Sequence, residues 1–290
     1  MYELIKPTEN EYFIQSPAKI GIIRSGDAAV LIDSGNDKDA GKRALRTLTS
    51  EGLSLLSVYN THSHADHIGG NKYISSALGI DIFAPRGECP FIENTLLEPS
   101  LLYGANPPKE LRHKFLMAEP SLATPLPDIL EFGIEAIALP GHSVSMVGFR
   151  TKNDVVYIAD ALSSPQTLDK YKIGYVYDVG AYLETLRSLK SMKASLFIPS
   201  HAEPCRDIAP LAQYNIDAVM RAASDILEIC KEKVTFDEIF AKIFAGYGLT
   251  PSIEQYALVG STLRSYITYL IGEGRLVFGF SGNSMTYLRT

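Results

Sequence analysis

Four side chains able to bind metal fall within six residues in the run Thr61-His62-Ser63-His64-Ala65-Asp66-His67-Ile68-Gly69-Gly70-Asn71. Half of the chain's six histidines lie in this stretch. Imidazole nitrogen and carboxylate oxygen are the usual donors to zinc and related divalent ions, so the density alone points to metal. In an extended segment side chains alternate faces, so His62 and His64 project to one side and can hold one ion together. Asp66 and His67 are adjacent and diverge. With a helix starting here they point toward a second position, and one loop then serves two ions. Taken singly, each histidine reads equally as a solvated loop residue and Asp66 as a helix cap.

His62-Ser63-His64-Ala65-Asp66-His67 matches the HxHxDH signature, and the chain resembles the metallo-β-lactamase superfamily of metallohydrolases, most of all its glyoxalase II-like branch. The resemblance implies three further ligands, in the order His, Asp, His. Leu139-Pro140-Gly141-His142-Ser143 supplies His142, Val155-Val156-Tyr157-Ile158-Ala159-Asp160 supplies Asp160, and Leu196-Phe197-Ile198-Pro199-Ser200-His201 supplies His201. Each follows an apolar, strand-like run, where α/β proteins present functional groups from loops at one edge of a sheet. Asp33, after Ala28-Ala29-Val30-Leu31-Ile32, shares that context. In the family this position supports a ligand instead of binding metal; read without the resemblance, Asp33 is a turn aspartate.

Position by position, the resemblance implies that His62, His64 and His142 hold a first ion, that Asp66, His67 and His201 hold a second, and that Asp160 bridges them. Asp66 and Asp160 are then the catalytic carboxylates. The implied cofactors are two divalent metal ions, zinc first, with iron or manganese accepting the same donors. The implied function is hydrolysis of a small-molecule thioester or other carboxylic ester through a metal-bridging hydroxide. The alternatives are a metal-dependent nuclease and an iron-dependent oxidoreductase or sensor on the same fold. Flavodiiron-type members usually replace the histidine at position 64 with a carboxylate, and this chain keeps it.

The elements that must position these groups can be traced from the start. The 290 residues are 46% hydrophobic, with a mean hydropathy near zero, which describes a globular chain able to bury a substantial core. The first residues carry neither a basic leader nor an apolar core, so the expected location is the cytoplasm and no membrane is expected. Cys89, Cys205 and Cys230 are too sparse for a disulfide framework or a structural zinc site. Residues 11–33 read as antiparallel strands turning at Gly26-Asp27, 38–51 as a helix and 66–78 as a second helix. A short strand follows at 81–84.

From 85 to 126 the pattern breaks into a proline-bearing insertion, and from 161 to 178 into a tyrosine-rich segment. Long irregular segments are usually functional, and both leave the sheet near the proposed active edge, so both are expected to wall the metal site. Tyr103 and Tyr175 are the candidate substrate contacts through hydroxyl or ring, and Lys109 and Arg112 the candidate attractors of a carboxylate.

The resemblance implies an α/β (α+β) fold, a four-layer αββα sandwich over 1–207, with a helical, winged-helix-like extension over 208–290. Helices are expected at about 208–231, at 236–246 behind the capping box Thr235-Phe236-Asp237-Glu238, and up to Gly272, followed by a hairpin. Residues 212–290 hold seven basic and eight acidic side chains and the whole chain has net charge −6, so a nucleic-acid partner is disfavoured. The partner expected is a small-molecule substrate, with a homodimer contact through the C-terminal region.

Overall fold

The computed structural model describes residues 2–290. A seven-stranded sheet takes its strands in chain order, Glu3–Ile5, Glu11–Gln15, Ile20–Ser25, Ala28–Ile32, Ser54–Tyr59, Ile82–Ala84 and Thr124–Pro125. The first four pair antiparallel, and from Ala28–Ile32 onward the pairing is parallel. A second sheet runs in the order Leu196–Pro199, Val155–Ala159, Val147–Arg150, Glu135–Ala138, parallel only between its first two strands.

Period-two alternation along these strands builds the layers. Leu31 packs outward with Ala40, Ala44 and Leu48 of the helix Lys38–Ser50 and with Ile74 of the helix Asn71–Leu78. Its neighbours Val30 and Ile32 turn inward, onto Phe149, Val155, Tyr157 and Ile198 of the second sheet. In that sheet Val156, Ile158 and Phe197 face away again, onto Leu183 and Leu186 of the helix Val179–Ser191 and Val219 of the helix Ala209–Ile229. The result is helix, sheet, sheet, helix, the αββα sandwich.

Beyond residue 207 come the helices Ala209–Ile229, Phe236–Tyr247 and Ile253–Gly272. Thr235 and Glu238 form the expected capping box. The strands Leu276–Ser281 and Ser284–Arg289 form the expected hairpin, and Val234–Thr235 joins it in a three-stranded antiparallel sheet. These helices pack on the second sheet, and one apolar cluster runs from Leu139 through Val219 and Leu263 to Leu276. Among the described residues no helix is long and apolar enough to cross a membrane.

Three expectations change in detail. The helix expected over 66–78 is broken into Ala65–Ile68 and Asn71–Leu78. A Cβ on Gly69 would lie 2.3 Å from the Asn36 carbonyl carbon, and one on Gly70 would lie 2.4 Å from the Ser34 oxygen, so the two glycines admit the 34–37 turn where a continuous helix would exclude it. The 85–126 insertion contains the short helices Cys89–Glu93 and Leu97–Tyr103. The 161–178 segment contains the helix Pro165–Tyr171, capped by Ser164, whose hydroxyl accepts the Thr167 amide at 3.1 Å.

Candidate metal centre

All seven candidate ligands meet at one edge of the sandwich. Asp33, His62, Asp160 and His201 follow the C-terminal ends of parallel strands, the end at which open α/β sheets present their sites. His142 comes from the loop between Glu135–Ala138 and Val147–Arg150. Gly141, at φ 114°, lets that loop press on the helix Val179–Ser191; a Cβ there would lie 2.2 Å from the Tyr182 amide nitrogen.

The donor atoms form two groups. His62 Nε2 and His142 Nε2 each lie 3.0 Å from His64 Nδ1. Three nitrogens each about 2.05 Å from one tetrahedral ion would stand about 3.3 Å apart, so this spacing suits a shared ion. In the second group His201 Nε2 lies 3.3 Å from Asp66 Oδ2, and His67 Nε2 lies 3.8 Å from the same oxygen. Asp160 stands between the groups: its Oδ2 is 3.5 Å from His142 Nε2 and 3.2 Å from His201 Nε2, and its Oδ1 is 3.2 Å from His67 Nε2.

His67 Nε2 and Asp160 Oδ1 are buried and have no hydrogen-bond partner. Buried polar atoms are rarely left unpaired, and a cation shared by this nitrogen and this oxygen, 3.2 Å apart, would satisfy both. The residues therefore fit divalent metal.

The electrostatics agree. Asp160 raises the His201 pKa to about 10 against the opposing effect of burial. Burial disfavours a charged His67 as well, yet Asp160, Asp66 and Asp33 hold it well above the usual imidazole range. For Asp66 burial acts against ionisation, but His67 and His201 outweigh it and bring the carboxyl to about 2. In the first group burial, reinforced by neighbouring imidazoles, pushes His62 well down and His142 to about 3. His62 and His142 are thus held as neutral nitrogen donors, while the second group is a field that stabilises positive charge.

Supporting contacts fix the donors. Asp33 Oδ2 is 2.7 Å from His67 Nδ1, which leaves Nε2 to face Asp160, and the Asp33 carboxylate also accepts the Thr61 amide and hydroxyl at 2.8 Å. Thr61 Oγ1 lies 3.0 Å from His62 Nδ1. Asn60 and Asn71, at either end of the ligand run, bond side chain to side chain at 2.7 and 3.4 Å.

Glu88, Glu98 and Lys19 also meet the site, and no motif or spacing marks them in the sequence. Buried Glu88 accepts the Ser63 amide and hydroxyl on one oxygen, at 3.1 and 2.5 Å. Its other oxygen accepts the Ser143 hydroxyl and the Ser145 amide at 2.7 Å, so one carboxylate ties the His62–His64 loop to the His142 loop. The serines beside the histidines were the available clue. Glu98 Oε1 is 3.5 Å from His64 Nε2, the ring nitrogen facing away from the donor group. Buried Lys19 donates to the Ala202 carbonyl at 2.6 Å, next to His201.

A cavity of about 560 Å³ opens onto Asp66, His142, Asp160 and His201. The tyrosine-rich segment lines it, as expected, and the Tyr175 ring centroid lies 5.5 Å from that of His64 and 5.9 Å from that of His142. The structure does not bring Tyr103, Lys109 or Arg112 to this wall. Tyr103 is exposed, Lys109 is exposed at the start of a 3-10 turn, and the Arg112 guanidinium donates to the Pro107 carbonyl and the Asn106 side chain. The insertion reaches the site through Glu88 and Glu98 instead. The cavity is also lined by the helices Ala209–Ile229 and Ile253–Gly272, from the region expected only to make a homodimer contact.

The family model described as "Metallo-beta-lactamase superfamily" matches residues 15–201. A hydroxyacylglutathione hydrolase of Erythrobacter litoralis is 37% identical over 62 residues, 21% of this chain and 23% of that protein. A second, from Pelagibacter ubique, is 22% identical over 54% of each chain, so both matches span well under two thirds of those relatives. A probable metallo-hydrolase of Bacillus subtilis is 26% identical over 61% of this chain and 78% of that protein. Among solved structures, a β-lactamase domain protein from Burkholderia ambifaria superposes with a TM-score of 0.76 at 16% identity, over 99% of this chain and 94% of that one. A metallo-β-lactamase family protein from Thermus thermophilus superposes with a TM-score of 0.71 at 18% identity, over 100% and 98%. The chain belongs to the metallo-β-lactamase superfamily of metal-dependent hydrolases.

Proposed function

We propose that this protein hydrolyses a small-molecule thioester or other carboxylic ester with two divalent ions, zinc in preference to iron or manganese. The observation that carries the reading is the position of Asp160, whose Oδ2 stands within 3.5 Å of a nitrogen from each donor group. His62, His64 and His142 would hold one ion and Asp66, His67 and His201 the other, with Asp160 shared. Divalent metal supplies Lewis acidity toward a carbonyl and water that ionises near neutral pH.

The chain's own groups do the rest. Asp33 fixes the His67 tautomer, Thr61 steadies His62, and Glu88 holds two ligand loops in register. Asp66 stays ionised and faces the cavity, where it serves as a ligand more than as a base. Tyr175 covers the His64 and His142 rings and keeps bulk water from that side. Tyr182, kept protonated by burial, lines the cavity and offers a hydroxyl donor to a substrate oxygen.

In this reading 1–207 is the catalytic domain and 208–290 closes the cavity. The near-balanced charge of the latter is the ground for proposing a small-molecule substrate over nucleic acid. The exposed side chains Val277, Phe278 and Phe280 offer a surface for the expected homodimer contact. The free thiols Cys89, Cys205 and Cys230 support the cytoplasm as the proposed location.

The test is elemental analysis of protein purified without added metal, joined to a panel of thioester, lactone, phosphodiester and persulfide substrates. Two ions per chain with chelator-sensitive thioester or ester turnover is expected. Turnover confined to phosphodiesters or persulfides, or full activity with one ion, overturns the reading.

A further inference from the structure

The cavity beside the metal centre is walled by the 161–178 segment and the two long C-terminal helices. Its volume of about 560 Å³ sits inside the range of roughly 300–1,000 Å³ typical of small-molecule sites. Besides the candidate ligands, the charged side chains on the wall are Lys170 and Lys172, and both are solvent-exposed. Ala218, Val219 and Ala222 come from the helix Ala209–Ile229, and Leu258 and Val259 from the helix Ile253–Gly272.

The buried polar side chains of the wall are largely engaged with the protein itself. Asn215 accepts the Ser163 amide at 2.9 Å and donates to the Ser163 and Leu211 carbonyls at 2.9 Å. Thr262 Oγ1 accepts the Val176 amide at 3.3 Å. These bonds fasten the 161–178 segment to the two C-terminal helices, whose remaining lining is apolar apart from Gln255 and the Tyr266 hydroxyl. Tyr182 and Tyr266 add aromatic surface, with hydroxyls that burial keeps neutral. Between the helices Ala209–Ile229 and Ile253–Gly272 a charged group would lose water without gaining a counter-charge, because the wall's two lysines, Lys170 and Lys172, are solvent-exposed on the 161–178 segment. The helical part of the wall, with Ala218, Val219, Ala222, Leu258 and Val259, therefore suits an alkyl or aryl group better than the carboxylates and ammonium of a glutathionyl group.

We propose that this cavity binds an apolar alkyl or aryl group attached to the scissile ester, on its acyl or its leaving-group side. The proposal rests on the ester hydrolysis inferred above. It makes the two C-terminal helices selectors of the substrate.

The experiment uses the full chain reconstituted with zinc and two homologous series. One is the S-acyl-N-acetylcysteamine thioesters from acetyl to decanoyl, the other acetyl thioesters of alkanethiols from methyl to octyl. In parallel, calorimetry measures binding of straight-chain carboxylates and alcohols of two to ten carbons. In at least one series kcat/KM rises roughly fourfold per methylene up to six carbons or more, and the Kd of the corresponding carboxylate or alcohol falls in step. Ala218→Phe, which fills the cavity, and Leu258→Gln, which makes its wall polar, each weaken binding of the eight-carbon probe at least tenfold; thermal unfolding confirms that at least one is folded. Measurable hydrolysis with flat chain-length profiles in both series and in binding overturns the apolar pocket and leaves ester hydrolysis standing. If no ester is turned over, the function fails and the binding series alone decides the pocket, with flat affinities overturning it.

Discussion

Asp33 Oδ2 lies 2.7 Å from His67 Nδ1 although Asp33 sits at φ 63°, in the left-handed region. Aspartate and asparagine tolerate that conformation better than most residues, so Asp33→Asn keeps the turn while weakening the acceptor that orients His67. Metal affinity, measured by competition with a chromophoric chelator, is expected to fall about 10- to 100-fold. Affinity within twofold of the wild type would remove Asp33 from any orienting role.

Glu88 uses both carboxylate oxygens, on donors from two different loops. In Glu88→Gln the amide turns two hydrogens toward donors that also need an acceptor. Urea unfolding of metal-free protein should show a loss of about 3 kcal/mol. A loss below about 1 kcal/mol would mean that the loops hold their places without the charge.

Asp160 stands between both donor groups, so Asp160→Ala separates chemistry from folding. Turnover should drop at least about 100-fold and ion content below two per chain, with a much smaller effect on Tm. Near-wild-type turnover in the variant would refute the shared-ligand role.

Tyr175 contributes its ring to the site. Tyr175→Phe should keep kcat/KM close to wild type, whereas Tyr175→Ala lowers it about tenfold by uncovering the His64 and His142 rings. Equal losses in both variants would shift the role to the hydroxyl.

Cys230 gives the fold an alkaline edge that does not involve the metal centre. Burial raises its thiol from 9.0 to about 11. The unfolded chain loses that proton first as pH rises, so the stability linked to Cys230 is complete below about pH 9 and disappears as pH climbs toward 11. Buried tyrosines add their own losses at higher pH, so the readout is the difference between wild type and Cys230→Ala. The wild type should lose more Tm between pH 9 and 11, and parallel curves would exclude the linkage.

How much of this could be read from the sequence depends on the kind of signal each residue leaves. The run Val155-Val156-Tyr157-Ile158-Ala159 announces a strand buried on both faces with Asp160 at its end, and the family resemblance then marks Asp160 as a ligand. The histidine cluster announces itself by density. Glu88 and Glu98 leave no such trace, because a carboxylate that meets its partner across a loop has no periodicity. The helices carrying Val219 and Leu258 are expected from the sequence, yet an apolar residue facing protein and one facing a cavity leave the same spacing. Arg112 looked like a substrate anchor until the Pro107 carbonyl accounted for its guanidinium.

The apolar cluster that runs from Leu139 to Leu276 makes the last third of the chain hard to exchange on its own. Val219 belongs at once to that core and to the cavity wall. Grafting these helices from a relative would remodel the cavity and the buttress of the second sheet in a single step. A change of substrate made through these helices would therefore call for compensating changes on the outer face of that sheet, at positions such as Val156 and Phe197.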